Sequence, residues 1–191
     1  MQVPGEVVEA KERAARAGFR LSCEDAVGQL LSTLVVDVPA GGRVLELGTG
    51  VGVGTAWIVG GLVAAGRDDV EVVTVEFDAA VASAARSASS WPVFVRFVEG
   101  DAVELLASGA LGSFDLVFAD AQGGKWEGLD RTIGALRPEG VLLVDDMRPQ
   151  SWWTDGQRSK QELVRRTLLG HPDLEAIELD VGSGCIICTR R

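Results

Sequence analysis

Five apolar runs, Val44–Leu47, Val70–Val75, Val93–Val98, Phe114–Ala119 and Val141–Val144, recur along the chain with room for one helix between each pair. Runs that are apolar at successive positions, rather than at alternate ones, suit strands covered on both faces. The intervening segments Gly54–Ala65, Ala79–Ser89, Asp101–Ala107 and Trp126–Leu136 have the lengths of crossover helices, which parallel strands require. The alternation therefore predicts an α/β fold, a doubly wound sheet with helices on both faces. Two helices, Glu6–Ala17 and Glu24–Val36, are predicted before the first strand. A helix near Gln157–Leu169 and an antiparallel hairpin turning at Gly182-Ser183-Gly184 are predicted after the fifth, making seven strands in all.

The 191 residues, 47% of them apolar, suffice for one domain with a sizeable core. No apolar run approaches the ~18 residues of a membrane span, and the opening MQVPGEVVEAKER is charged rather than leader-like. No membrane partner and a cytoplasmic location are the expectation. With 28 acidic against 18 basic residues the net charge is −10, which repels a phosphate backbone and makes nucleic acid a poor partner. The three cysteines, Cys23, Cys185 and Cys188, fit a reducing compartment. In C-I-I-C at 185–188 the two thiols are three residues apart on a strand and face opposite sides of the sheet, so core packing is the reading rather than metal or redox use.

Ligands of doubly wound sheets bind at the carboxyl ends of the strands, and there the first strand runs into RVLELGTGVGVGT, with Gly48, Gly50, Gly52 and Gly54 at alternate positions. A dinucleotide fingerprint G-x-G-x-x-G started at Gly48 would need glycine where Val53 stands, and no Gly-Lys-Ser/Thr follows to make a phosphate loop. Glu46 repels a pyrophosphate and welcomes a cation. S-adenosylmethionine, which carries an ammonium and a sulfonium and no phosphate, suits E-x-G-x-G-x-G better than NAD does. At the second strand's end Glu76 can accept from both ribose hydroxyls. Phe77 can cover the adenine or belong to the core, and Asp101 with Ala102, at the third strand's end, can meet the adenine amino group or only cap a helix. The expected cofactor contacts are Glu46, Gly48, Thr49, Gly50, Gly52, Gly54, Thr55, Glu76, Phe77, Asp101, Ala102 and Asp120.

From about Ser22 to Cys188 the chain resembles the class I S-adenosylmethionine-dependent methyltransferases, which have a Rossmann-like sheet. Within them it looks most like small bacterial O-methyltransferases of the catechol and caffeoyl-coenzyme A types. EDAVGQLLSTL, FDLVFADAQGGKW and PEGVLLVDDM carry the closer likeness. The resemblance implies one methyltransferase domain over 1–191, with helices 1–40 over the active site and a cofactor-binding core at 41–191. It further implies a small-molecule substrate, a possible homodimer, and Mg²⁺ or another divalent cation held by Asp120, Asp145 and Asp146. Two departures stand out: the family's Asp-Asn pair is Asp145-Asp146 here, and its D-A-D-K run is Asp120-Ala121-Gln122-Gly123-Gly124-Lys125.

Methyl transfer from a sulfonium is an in-line displacement that needs the acceptor aligned and its proton removed. The chain has no Tyr, and its one His, His171 in LGHPDL, reads as a surface turn. Asp120 and Lys125 are the candidate catalytic residues, Lys125 being either a base or a solvated lysine at a helix start. Trp152 and Trp153 could wall the cofactor, and Ser22, Cys23 and Glu24 face the same opening by analogy to the family. An N-methyltransferase, a metal-independent O-methyltransferase and a catalytically inactive cofactor-binding partner subunit stay open as alternatives.

Overall fold

A computed structural model describes residues 3–87 and 91–191. Its single sheet has the order β3-β2-β1-β4-β5-β7-β6, built from β1 (Arg43–Leu47), β2 (Glu71–Glu76), β3 (Val95–Glu99), β4 (Phe114–Ala119), β5 (Leu136–Val144), β6 (Leu174–Leu179) and β7 (Cys185–Arg190). The first five strands are parallel, and β7 pairs antiparallel with both β5 and β6. The helices are α1 (Gly5–Ala17), α2 (Asp25–Leu34), α3 (Val53–Ala64), α4 (Ala79–Arg86), α5 (Ala102–Ser108), α6 (Leu129–Gly134) and α7 (Asp155–Leu169). Part of the helix expected at Ala79–Ser89 lies outside the described residues.

Side chains alternate across each strand, so consecutive apolar residues feed two separate cores. Val44, Val72, Leu116, Phe118 and Leu143 join α1, α2 and α3 on one face. Leu45, Leu47, Val73, Val75, Val117, Ala119, Leu142 and Val144 join α5, α6 and α7 on the other. Cys185 belongs to the first cluster and Cys188 to the second, as their spacing predicts, and burial pushes both thiols up to about 12. On the first face α1 and α2 pack on α3. A Cβ at Gly28 would lie 2.2 Å from the Trp57 ring and one at Gly61 2.7 Å from the Ser32 carbonyl, so both glycines permit the close crossing.

One helix is much shorter than its sequence suggests. Trp126–Leu136 shrinks to Leu129–Gly134, because Gly128 caps it in the left-handed region (φ 78°) and β5 already begins at Leu136. β5 runs through the turn-like Pro138-Glu139-Gly140 with Glu139 at φ 67° and a register shift against β4.

Candidate active site

The strand order reverses between β1 and β4, and the loops after these strands open the crevice in which ligands of such sheets bind. After β1, the amides of Gly48 and Thr49 both donate to Val75 O at 3.0 Å. Gly48, Gly50 and Gly52 have φ of 105°, 55° and 89°, conformations that side chains resist. Gly54 is required for space instead: a Cβ there would stand 2.3 Å from Glu46 Oε1.

Glu46 does not face out of the strand end. Its place on β1, in phase with Val44, turns it under the first turn of α3, where it is 0% exposed. Its Oε2 accepts from Thr55 Oγ1 and, at 2.6 Å, from Thr74 Oγ1, to which Thr49 Oγ1 lies at 2.5 Å. The Thr49 and Thr55 hydroxyls thus belong to this buried network. Among the described residues Glu46 Oε1 has no partner. Burial foremost, with Glu76 adding and the threonine bonds opposing, pushes the Glu46 carboxyl up to about 7.

Two clefts meet at Gly48. The first lies between the glycine loop, the α1–α2 link and the end of β4, lined by Phe19, Ser22, Cys23, Glu46, Gly54 and Asp120 among others. Ser22 Oγ, like Glu46 Oε1, is buried there without a partner. The second, about 330 Å³, is lined by Glu76, Phe77, Asp101, Ala102, Gln122 and Gly123 among others. Glu76 Oε2 accepts from Gly50 N at 2.8 Å and Oε1 from Asp78 N at 3.0 Å, leaving lone pairs on both oxygens toward the cleft. Phe77 is 74% exposed, which rules out the core reading. Asp101 both caps α5, through Oδ1 to Val103 N at 2.7 Å, and lines the cleft.

The α1 helix is tied directly to the glycine loop. Arg13 Nε donates to Val51 O at 2.8 Å, its guanidinium lies 5.7 Å from the Trp91 ring centroid, and the Phe19 ring covers Gly50. Sequence reasoning did not single out Arg13, Phe19, Gln122 or Gly123. The glycines around the last two signal a loop, and nothing local signals the first two.

Asp145 is buried, and its Oδ1 accepts from Asp146 N at 2.7 Å and Ser183 Oγ at 2.8 Å, with the Cys185 thiol at 3.8 Å. Asp146, at φ 57°, has a half-exposed side chain. Lys125 is neither solvated nor at a helix start: its side chain is 4% exposed, Nζ donates to Asp145 O at 3.1 Å, and Asp146 Oδ2 lies at 3.6 Å. Asp120, in the first cleft, is raised well above the ordinary carboxylate value by burial, with Lys125 opposing and Asp145, Asp146 and Glu46 adding. Among the described residues no group of three or more His, Cys, Asp or Glu side chains is arranged to hold a metal ion. Of the three carboxylates expected to hold a cation, Asp145 already accepts through Oδ1 and Asp146 has the Lys125 ammonium beside it.

Trp152 is exposed, Trp153 packs edge-on against Trp126 at 6.3 Å, and neither lines either cleft. His171 lies in the turn between α7 and β6, accepting from Asp173 N at 3.1 Å.

A glycine loop at the switch point, a carboxylate beneath it and another at the next strand end thus meet at the carboxyl edge of an α/β sheet. Residues 45–147, more than half of the chain, match the family model described as a methyltransferase domain, and the chain belongs to that family. A probable O-methyltransferase of Mycobacterium tuberculosis strain H37Rv is 34% identical over 140 residues, covering 71% of this chain and 60% of that protein. The chain thus spans about 60% of the length of the first curated relatives it matches. Among solved structures, an O-methyltransferase from Bacillus cereus in complex with SAH superposes with TM-score 0.82 at 22% identity, covering 100% of this chain and 93% of that one, a likeness of fold. Cofactor-bound Rv0187 from MTB superposes with TM-score 0.80 at 26% identity, covering 97% and 89%.

No helix among the described residues is long and apolar enough to cross a membrane.

Proposed function

We propose that this chain binds S-adenosylmethionine across the two clefts and transfers its methyl group to a hydroxyl oxygen of a small molecule. The observation that carries the reading is the pair of buried, unpartnered oxygens, Glu46 Oε1 and Ser22 Oγ, lining one cleft beside the glycine loop. A buried carboxylate oxygen without a donor is costly, and an ammonium group is the partner that relieves it. The donor set suits this cofactor: Glu46 and Ser22 for the amino end, Glu76 for the ribose hydroxyls, and Phe77 with Asp101 and Ala102 around the base. A pyrophosphate between the clefts would lie against Glu46 and Asp120, which disfavours a dinucleotide. When bound, S-adenosylmethionine supplies an electrophilic methyl group on a sulfonium.

The chain's own residues then align the acceptor and take its proton. Asp120 and Glu46 are the two carboxylates of the first cleft; Glu46 is bonded to two threonines, which leaves Asp120 Oδ as the proton acceptor. The family membership and the O-methyltransferase names of its relatives support oxygen over nitrogen as the acceptor. The three cysteines are free and buried, which supports a reducing, cytoplasmic setting. Calorimetry with S-adenosylhomocysteine and NAD tests the cofactor: the first should bind and the second should not, and NAD binding more tightly would end the reading.

A further inference from the structure

The acidic ends of β4 and β5 carry Asp120, Asp145 and Asp146, a charge concentration that ordinarily calls for a cation. The cation here belongs to the chain. Lys125 reaches these strand ends from the β4–α6 loop, fixed by Gly124, where φ is 90° and a Cβ would lie 2.4 Å from Leu47 Cδ1. Thr132 Oγ1 donates to Gly124 O at 2.7 Å and pins the same loop to α6. The ammonium that results is buried, donates to the Asp145 carbonyl at 3.1 Å and stands 3.6 Å from Asp146 Oδ2. The Asp145 carboxylate is meanwhile turned to Ser183, Cys185 and the Asp146 amide.

We propose that Lys125 Nζ occupies the place of a divalent cation at these strand ends, so that the protein binds its cofactor and works without a metal. Two features act together. A divalent ion bound by Asp146 would lie within a few ångströms of a buried ammonium, where the local dielectric screens their repulsion poorly. It would also have to share the Asp145 carboxylate with three donors that converge on its Oδ1, since hard cations demand several oxygens at once. Lys125 is a positioning residue in this account: it fixes the Asp145 carbonyl and the Asp146 carboxylate at the end of β5. The inference rests on the methyltransferase reading, and its test separates the two.

The experiment titrates wild-type protein with Mn²⁺, followed by loss of the free-ion electron paramagnetic resonance signal, with and without S-adenosylhomocysteine. Calorimetry measures S-adenosylhomocysteine binding before and after chelator. Wild type should bind no Mn²⁺ up to millimolar concentration, and chelator should leave cofactor-product affinity unchanged. Lys125→Met, which keeps the stem and removes the charge, should acquire a Mn²⁺ site that Asp146→Asn in the same background abolishes. Mn²⁺ bound by wild type and lost in Asp146→Asn would overturn the proposal. So would a folded Lys125→Met that binds no Mn²⁺, or S-adenosylhomocysteine binding that requires metal. If Lys125→Met does not fold, the wild-type titration decides alone. Failure of S-adenosylhomocysteine to bind under every condition would instead remove the methyltransferase reading, whatever the Mn²⁺ result.

Discussion

The carboxyl of Glu46 should make cofactor affinity depend on pH with a recognisable sign. Its value rises from the ordinary 4.5 to about 7 on folding, chiefly through burial, which corresponds to about 3 kcal/mol of disfavoured ionisation. The unfolded chain gives up this proton near pH 4.5 and the folded one near pH 7. Through this group, therefore, stability is unaffected below pH 4.5, falls as pH rises from 4.5 to 7, and carries the full penalty above 7. A bound ammonium prefers the ionised carboxylate and pulls its value back down, so binding below pH 7 must first expel a proton. If the bound value returns to the ordinary one, S-adenosylhomocysteine should bind about twentyfold more tightly at pH 7.5 than at pH 5.5, with proton release at the lower pH and little above pH 7. The ligand's own amino group, with an ordinary value of about 7.7–8.0, is still mostly protonated at pH 7.5 and lowers the affinity there by less than about twofold. Calorimetry in two buffers of different ionisation enthalpy measures both affinity and proton release. Asp120 lines the same cleft and titrates upward too, so the readout is the difference between wild type and Glu46→Gln, a variant whose amide still accepts from Thr55 and Thr74. The Gln variant should bind more weakly at pH 7.5 and lose most of the pH dependence. Parallel profiles for the two proteins would refute the reasoning, because Glu46 would then not meet the ligand's charge.

Glu76→Ala removes the acceptor of the Gly50 and Asp78 amides as well as the one proposed for the ribose, and should weaken S-adenosylhomocysteine by about 1.5–3 kcal/mol, measured by calorimetry. Gly54→Ala drives a methyl group against Glu46 Oε1 and should cost about 1–3 kcal/mol in denaturant unfolding, with cofactor binding impaired beyond that loss. Arg13→Ala frees Val51 O from its donor and should lower stability by about 1 kcal/mol, while amide exchange in the Gly48–Gly54 loop speeds up.

The central strands β1, β2 and β4 were legible because they are buried on both faces, and β1 through β4 lie within two residues of where their runs predict. β5 was not, since Arg137-Pro138-Glu139-Gly140 carries every mark of a turn and pairs with β4 only through a kink. The same ambiguity lengthened the expected α6. At the site, the positions of Glu76 and Asp101 at successive strand ends were readable from spacing, and Asp101 caps α5 while also lining the cleft. The environment of Glu46 was less plain: that it faces the sheet interior follows from its phase with Val44, but the threonines that hold it come from three different segments. The solvated alternative for Lys125 fails because its burial depends on the left-handed turn at Gly124 and on contacts made after β5 and from α6, none of them legible in the local sequence. Arg13 and Phe19 reach the glycine loop across more than thirty residues, a separation at which a single sequence carries no pairing signal.

The most direct test of the central claim is a crystal structure of the protein with S-adenosylhomocysteine. The amino group should lie within hydrogen-bond distance of Glu46 Oε1 or Ser22 Oγ, the ribose hydroxyls on Glu76, and the adenine in the cleft of Phe77, Asp101 and Ala102. An amino end that points away from Glu46 into solvent, or a nucleoside bound outside these two clefts, would contradict the account.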